Sequence, residues 1–469
     1  MKIMDIKPPY PEDNSRRQFL KNSSMVSLGF LFLSKCSSLP LGAAPSSSQN
    51  ALLLKDPLGY LDLPKGFRYR IIAKIGNQMD DGFLVPGRAD GMGAFPGPDG
   101  KVILVINHEN SPTPLYNSPF GNKNELLKKL DMAKVYDAGM GKRPGLGGTT
   151  TLVYNEATQE VEKHFLSLAG TYRNCAGGVT PWNSWLSCEE DITLSAGMTE
   201  KDHGFVFEVT ATDQIGLADP TPIKAMGRFN HEAVCVDPST GIVYQTEDRP
   251  DGLLYRYIPN VPGQLAEGGR LQALAVKDMP SLDTSNWKEK KLSLHQSLAV
   301  YWIDLEDVLS PEDNLRYQGF EKGAAQFARG EGIWFGDGEL FFACTIGGLN
   351  GTGQVFKYVP SPNEGQEGES QNPGILELFA ESEEKTILHC CDNLTIAPWG
   401  DVLLCEDNGE VNHIRGIDQN GQIYTFGINK SSTSEFAGLT FSPSGKTLFV
   451  NIQDHGETLA ITGPWDKLA

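Results

Sequence analysis

Three residue types in this chain have the chemistry to bind and act on a charged group: recurrent carboxylates, one cysteine and one arginine. The carboxylates stand out first in Asn230–Asp248, NHEAVCVDPSTGIVYQTED. Glu232 opens one apolar run, a tight Asp-Pro-Ser-Thr-Gly turn follows, and a second apolar run ends on Glu247 and Asp248. Turn formers between β-branched and aromatic residues specify a hairpin, and antiparallel pairing returns the end of the second strand to the start of the first. Two or three carboxylates therefore gather at one edge of the sheet.

Variants recur along the chain. Asp90 opens a unit that ends on Asn107-His108-Glu109, and Cys175 opens one that ends on Cys188-Glu189-Glu190-Asp191. Glu331, two residues after Arg329, opens a unit that ends on the glycine-rich run Gly347–Gly353. Asp392 opens one that ends on Glu406-Asp407, and Glu435 one that ends near Asn451 and Asp454. With Glu232 this makes six units, five of them carrying acids after the second strand. Repeated β units with variable insertions suggest an all-β, six-bladed β-propeller whose first strands line a central channel, with loop and short helical insertions. An irregular β-sandwich or two smaller β domains are the alternatives.

In a closed ring Cys175, Glu232, Glu331, Asp392 and Glu435 approach one another at one mouth. Glu109, Glu189, Glu190, Glu247, Asp248, Glu406 and Asp407 stand close behind. So many carboxylates in a confined space stay ionised only with counter-charge, so either several are protonated or metal ions sit among them. Oxygen ligands favour calcium, and one thiolate adds a site for a transition metal, iron or zinc. Arg329 could hold a phosphate oxyanion with planar, permanently charged donors, or simply neutralise a neighbouring acid. Paired metals with an arginine suit phosphoryl transfer.

The wider sequence narrows the choices. In 469 residues there are 51 glycines and 29 prolines, which favours turns over long helices; Glu125–Val135 is the plausible helix. The formal charge of −19 argues against a nucleic-acid or anionic-membrane surface, because phosphates would be repelled. No GxSxG elbow, HExxH zinc pair or P-loop ending is present. Ser15–Lys21, SRRQFLK, reads as a twin-arginine signal, followed by an apolar stretch, Met25–Leu33, too short to span a membrane, and by Ala43-Ala44 as a cleavage site. We expect residues 1–45 to be signal and linker, 46–469 to be one catalytic propeller, and the product to be a monomer exported by the twin-arginine machinery to the periplasm or beyond. Outside the signal, which holds Cys36, seven cysteines remain, most of them in apolar strand-like runs as small buried hydrophobes.

Asn174-Cys175-Ala176-Gly177-Gly178, Thr180-Pro181-Trp182, Ser187–Glu190, Phe229–Glu232, Thr246–Asp248, Arg329 with Glu331-Gly332, the run from Gly347-Gly348 to Gly353-Gln354-Val355, Asp392-Asn393 and Glu406-Asp407 together resemble the PhoX family of secreted bacterial alkaline phosphatases. The resemblance covers about residues 50–465. It implies a six-bladed propeller with an axial iron and calcium cluster that hydrolyses phosphomonoesters. Cys175 would then be an iron ligand, Glu232, Glu331 and Glu435 ligands of the cluster, and Arg329 the phosphate clamp. Glu190, Glu247, Asp248, Asp392 and Glu406 fit the remaining metal positions, and Glu109 stands beside them. The chain is shorter than many relatives, and Gly330 stands where a proline is expected. A phosphodiesterase, phytase or lactonase on the same propeller, or a non-catalytic calcium-stabilised binding propeller, are the competing readings.

Overall fold

Six short strands stand side by side in a closed ring at the centre of the protein. They are Ala89–Pro96, Asn174–Val179, His231–Val236, Gly330–Gly336, Cys391–Ile396 and Phe436–Phe441, and each packs against the next, the sixth returning to the first. The computed structural model describes residues 52–468, so the twin-arginine stretch, Cys36 and the cleavage site lie outside the described residues. The architecture is all-β and propeller-like. One α-helix is found among the described residues, Leu315–Glu321, and no helix there is long and apolar enough to cross a membrane.

From each ring strand an antiparallel meander runs outward, but the meanders do not form six separate sheets. They merge into five: two of four strands, one of three, one of six and one of ten. The ten-stranded sheet joins the third and fourth meanders because Ser297–Asp304 pairs with Gly269–Val276 on one side and Ile375–Glu381 on the other. One outer strand thus covers two sheet edges that would otherwise present unpaired backbone groups. The sixth meander is completed from the other end of the sequence, by Arg68–Lys74 pairing with Glu457–Thr462.

Buried apolar side chains on both faces of the meanders fill the spaces between them. Phe327, Phe342 and Phe356 pack there with ring centroids 5.1–5.3 Å apart. The helix expected at Glu125–Val135 is replaced by two 3-10 turns, Leu127–Lys129 and Met132–Lys134. The cause is local. Asp131 accepts a hydrogen bond from the Ala133 amide at 3.0 Å, which caps a new turn where a helix would have to continue.

Candidate metal centre

The same irregularity occurs in every ring strand. Register with the second strand slips between Ala89 and Met92, Asn174 and Gly177, His231 and Val234, Gly330 and Ile333, Cys391 and Leu394, and Ala437 and Thr440. A β-bulge re-aims the side chain that it carries. The residues placed just inside the slip are Asp90, Cys175, Glu232, Glu331, Asp392 and Gly438. Five carry metal-type donors, and all five line one cavity on the ring axis.

Two further circles of residues complete that cavity. The residue directly after each second strand faces it: Glu109, Glu190, Asp248, Thr345, Asp407 and Gln453. Its amide donates to the carbonyl of the residue directly before the ring strand, in all six units, at 2.9–3.3 Å. Those preceding residues are Arg88, Arg173, Asn230, Arg329, Cys390 and Glu435; the three arginines and Glu435 also line the cavity. Nine carboxyl groups, three guanidiniums and one thiol line this cavity.

The floor is closed by small residues that follow the donors. A Cβ on Gly332 would lie 2.7 Å from Asn393 Cα, and one on Gly91 would lie 2.5 Å from Ala176 Cα. Only glycine lets neighbouring ring strands come this close. Gly438, at φ +63°, stands at the donor position of the sixth unit, and a Cβ there would meet the Asp90 carbonyl oxygen at 2.2 Å.

Donor atoms converge in two groups. One ligand atom each from Cys175, Glu190 and Glu232 lie within 4.8 Å of one another, and so do one each from Glu232, Glu331 and Asp392. Glu232 belongs to both. Cys175 Sγ donates to Glu232 Oε1 at 3.3 Å. Burial pushes Glu232, Glu331, Glu190, Glu435 and Asp90 well above the usual carboxyl range, with like charges adding to the effect. Asp392 is pushed up to about 7 by burial and then by Asp407. Burial also raises the Cys175 thiol, helped by Asp90 and Glu232. Nine acids against three guanidiniums leave six negative charges uncompensated if all ionise, before any thiolate is counted. Bound cations would supply the missing charge, and the two groups of convergent donors fit them.

The arginines hold fixed poses. Arg329 makes a bidentate pair with Asp248, Nε to Oδ1 at 2.6 Å and Nη2 to Oδ2 at 2.8 Å, and its Nη2 also reaches Glu331 Oε1 at 3.0 Å. Its φ of 57° is left-handed, and Gly330 follows it directly. Arg173 holds Glu109 Oε1 from Nε at 3.0 Å and pairs with Glu190. Arg88 donates to the Glu109 carbonyl at 3.1 Å and pairs with the Glu109 carboxylate.

Glu247 and Glu406, expected from the sequence among the metal ligands, lie outside the cavity wall, which Asp248 and Asp407 occupy instead. Each is the last residue of its second strand, so the pleat turns it away from the residue after it. Glu406 accepts from the His389 amide at 2.9 Å and Arg415 Nε at 2.8 Å. Glu247 accepts from the Leu253 amide at 3.2 Å and the Tyr255 hydroxyl at 2.7 Å, and burial raises its carboxyl to about 7. Glu189 likewise holds the Tyr172 amide at 2.9 Å, next to Arg173. These acids fix the loops that carry the cavity residues. Glu435 does line the cavity, but from the position before its strand. The residues that sequence reasoning missed are Asp90, Arg88, Arg173, Thr345 and Gln453. Asp90 had a usable signal, since it opens its unit as Glu232 does.

The family profile described as alkaline phosphatase PhoX matches residues 48–456. No curated protein sequence matches the chain. Among solved structures the fold is similar to Pseudomonas fluorescens PhoX in complex with vanadate, a transition state analogue, with a TM-score of 0.63. That similarity covers 86% of this chain and 96% of the other at 16% identity. A gluconolactonase from Xanthomonas campestris aligns over 92% of this chain and 100% of its own at 12% identity, with a TM-score of only 0.38. With a profile match over most of its length and a shared fold around a buried acidic centre, the chain belongs to the alkaline phosphatase PhoX family and is a phosphoric monoester hydrolase.

Proposed function

We propose that the axial cavity is a metal-dependent phosphomonoesterase centre. In it Cys175, Glu190 and Glu232 hold one ion, Glu232, Glu331 and Asp392 hold a second, and Arg329 binds the phosphoryl group. The observation that carries this reading is that Glu232 belongs to both donor groups. A carboxylate shared between two ligand sets holds ions close enough to act on one substrate. Sulfur in the first set suits a transition metal, and we assign iron to it; the all-oxygen second set suits calcium. Asp90, Glu109, Asp248, Asp407 and Glu435 leave carboxyl groups for further ions.

Bound ions supply neutralisation of the phosphoryl oxygens and Lewis-acid polarisation of the phosphorus centre. The chain itself supplies position. Arg329 is locked by Asp248 and Glu331, and among the described residues its Nη1 donates to no protein atom, so one face of the guanidinium is left for a phosphoryl oxygen. Because that donor is already oriented, little reorganisation accompanies binding. Small phosphomonoesters are the substrates.

The six ring strands and their repeated amide clasps support a count of six blades, two of which share an outer strand. Ser15–Lys21 supports passage of the folded chain through the twin-arginine machinery to the periplasm or outside the cell, and a monomer is the proposed state there. The test is to purify the exported protein, count iron and calcium per chain, and assay a chromogenic phosphomonoester. Iron and calcium with turnover are expected; an iron-free chain that stays inactive when loaded with calcium would overturn the reading.

A further inference from the structure

Arg329 has a counterpart. Arg173 also lies directly before a ring strand and two residues before a donor, Cys175 in its case and Glu331 in the other. Both are left-handed, with φ of 44° and 57°. Each reaches back to the acid that ends the preceding unit, Arg173 to Glu109 and Arg329 to Asp248, and each then takes one acid of its own unit, Glu190 or Glu331. Both are about equally open, with 38% and 35% of the side chain exposed. In both, Nε and Nη2 are engaged, while Nη1 donates to no protein atom among the described residues.

Position on the ring makes the likeness useful. The donor group Cys175, Glu190 and Glu232 has Arg173 at its edge, and the group Glu232, Glu331 and Asp392 has Arg329. Between them, before the third ring strand, stands Asn230, a short buried side chain that donates to Glu190 Oε1 at 2.9 Å and does not line the cavity. The two guanidiniums therefore flank the shared Glu232 from the two neighbouring units with open cavity between them. Arg88 differs, because its Nη1 is taken by Asp454 at 3.1 Å.

We propose that Arg173 is a second phosphate-binding arginine, gripping the phosphoryl group from the side opposite Arg329 with its unpaired Nη1. The proposal rests on the phosphomonoesterase reading. A phosphoryl group held over Glu232 has three terminal oxygens, enough for a donor from each side. Two rigid forks would also exclude the rotated poses that one fork allows.

The experiment compares metal-loaded wild type with R173Q, R173K and R329Q. The inhibition constant of inorganic phosphate, metal content per chain and KM for a chromogenic phosphomonoester are measured for each. Loss of a charge-assisted hydrogen bond is expected to weaken phosphate binding about ten- to hundredfold in R173Q. KM should rise in parallel while metal content stays that of wild type. R173K keeps the charge but not the fork, so it should restore binding only in part. Wild-type phosphate inhibition in a metal-replete R173Q or R173K would overturn the proposal. So would loss of metal in both variants, because Arg173 would then serve the metal scaffold alone. An inactive wild type would count against the phosphomonoesterase reading itself, whereas a defect in R329Q with none at Arg173 would count against this proposal only.

Discussion

Glu232 is the residue on which most of the chemistry converges. It is 1% exposed, accepts from the Cys175 thiol, and is the one ligand common to both donor groups. Its loss should differ in kind from the loss of a ligand that serves one site. In E232Q metal content is expected to fall at both positions, and activity by at least about a hundredfold. In C175A iron should be lost selectively, with turnover abolished and the fold retained. Elemental analysis beside a phosphatase assay reads both, and full activity in C175A would refute its role as an iron ligand. At this scale the sequence was informative where a donor opened a strand, as at Cys175, Glu232, Glu331 and Asp392. It was uninformative where neighbouring acids compete. Glu247 and Asp248 are indistinguishable by type, and only the alternation of the strand sends Asp248 to the cavity and Glu247 to the Tyr255 hydroxyl. Arg173 carried one signal, the two-residue spacing to its donor that it shares with Arg329, but the rest of the likeness lies in backbone conformation and in acids far away in sequence.

The working element is a bulged strand clasped by the residue that follows its partner. The bulge points the donor inward, the clasp fixes the loop before it, and glycine or another small residue brings the neighbouring strand close. Adding a methyl group at Gly332 tests this arrangement, since the new Cβ would press on the Asn393 Cα and the Leu394 amide, both at 2.7 Å. Overpacking against backbone should destabilise G332A by about 1–3 kcal/mol. It should also weaken metal retention by forcing Glu331 away from Asp392. Chemical denaturation and metal content measure the two effects, and wild-type values in both would refute the close-packed floor. Hairpins and their turns were legible because turn residues and β-branched runs alternate. The slip in register was not, since a bulge changes pairing without changing residue pattern. In the sixth unit this displaced the expectation, because the donor position falls on Gly438 and Glu435 enters from outside the strand.

For the whole molecule, completion of the sixth meander by Arg68–Lys74 and the shared strand Ser297–Asp304 are both long-range, and neither is encoded in local sequence. The number of sheets was therefore less legible than the number of units. Stability outside the cavity has a pH dependence of its own. His203 is buried with Nδ1 2.6 Å from Glu189 and Nε2 3.3 Å from Asp137. Burial alone would lower its pKa, but the Glu189 charge and the Asp137 hydrogen bond override that and raise it to about 9. A raised folded-state pKa stabilises the protonated form, so the contribution is fully present below the unfolded value of 6.5 and is lost as pH rises through about 9. The gap in melting temperature between wild type and H203Q should be large at pH 6 and small at pH 10. An equal gap at both would mean that His203 is not held as the imidazolium.

Everything proposed for the cavity requires that its nine carboxyl groups work with bound cations. Phosphomonoester turnover of the purified chain should therefore be followed through chelation and reloading, with metal counted at each stage. Activity is expected to vanish as iron and calcium leave and to return when both are restored. A chain stripped of metal that still hydrolyses the phosphomonoester at the original rate would contradict a metal centre in this cavity.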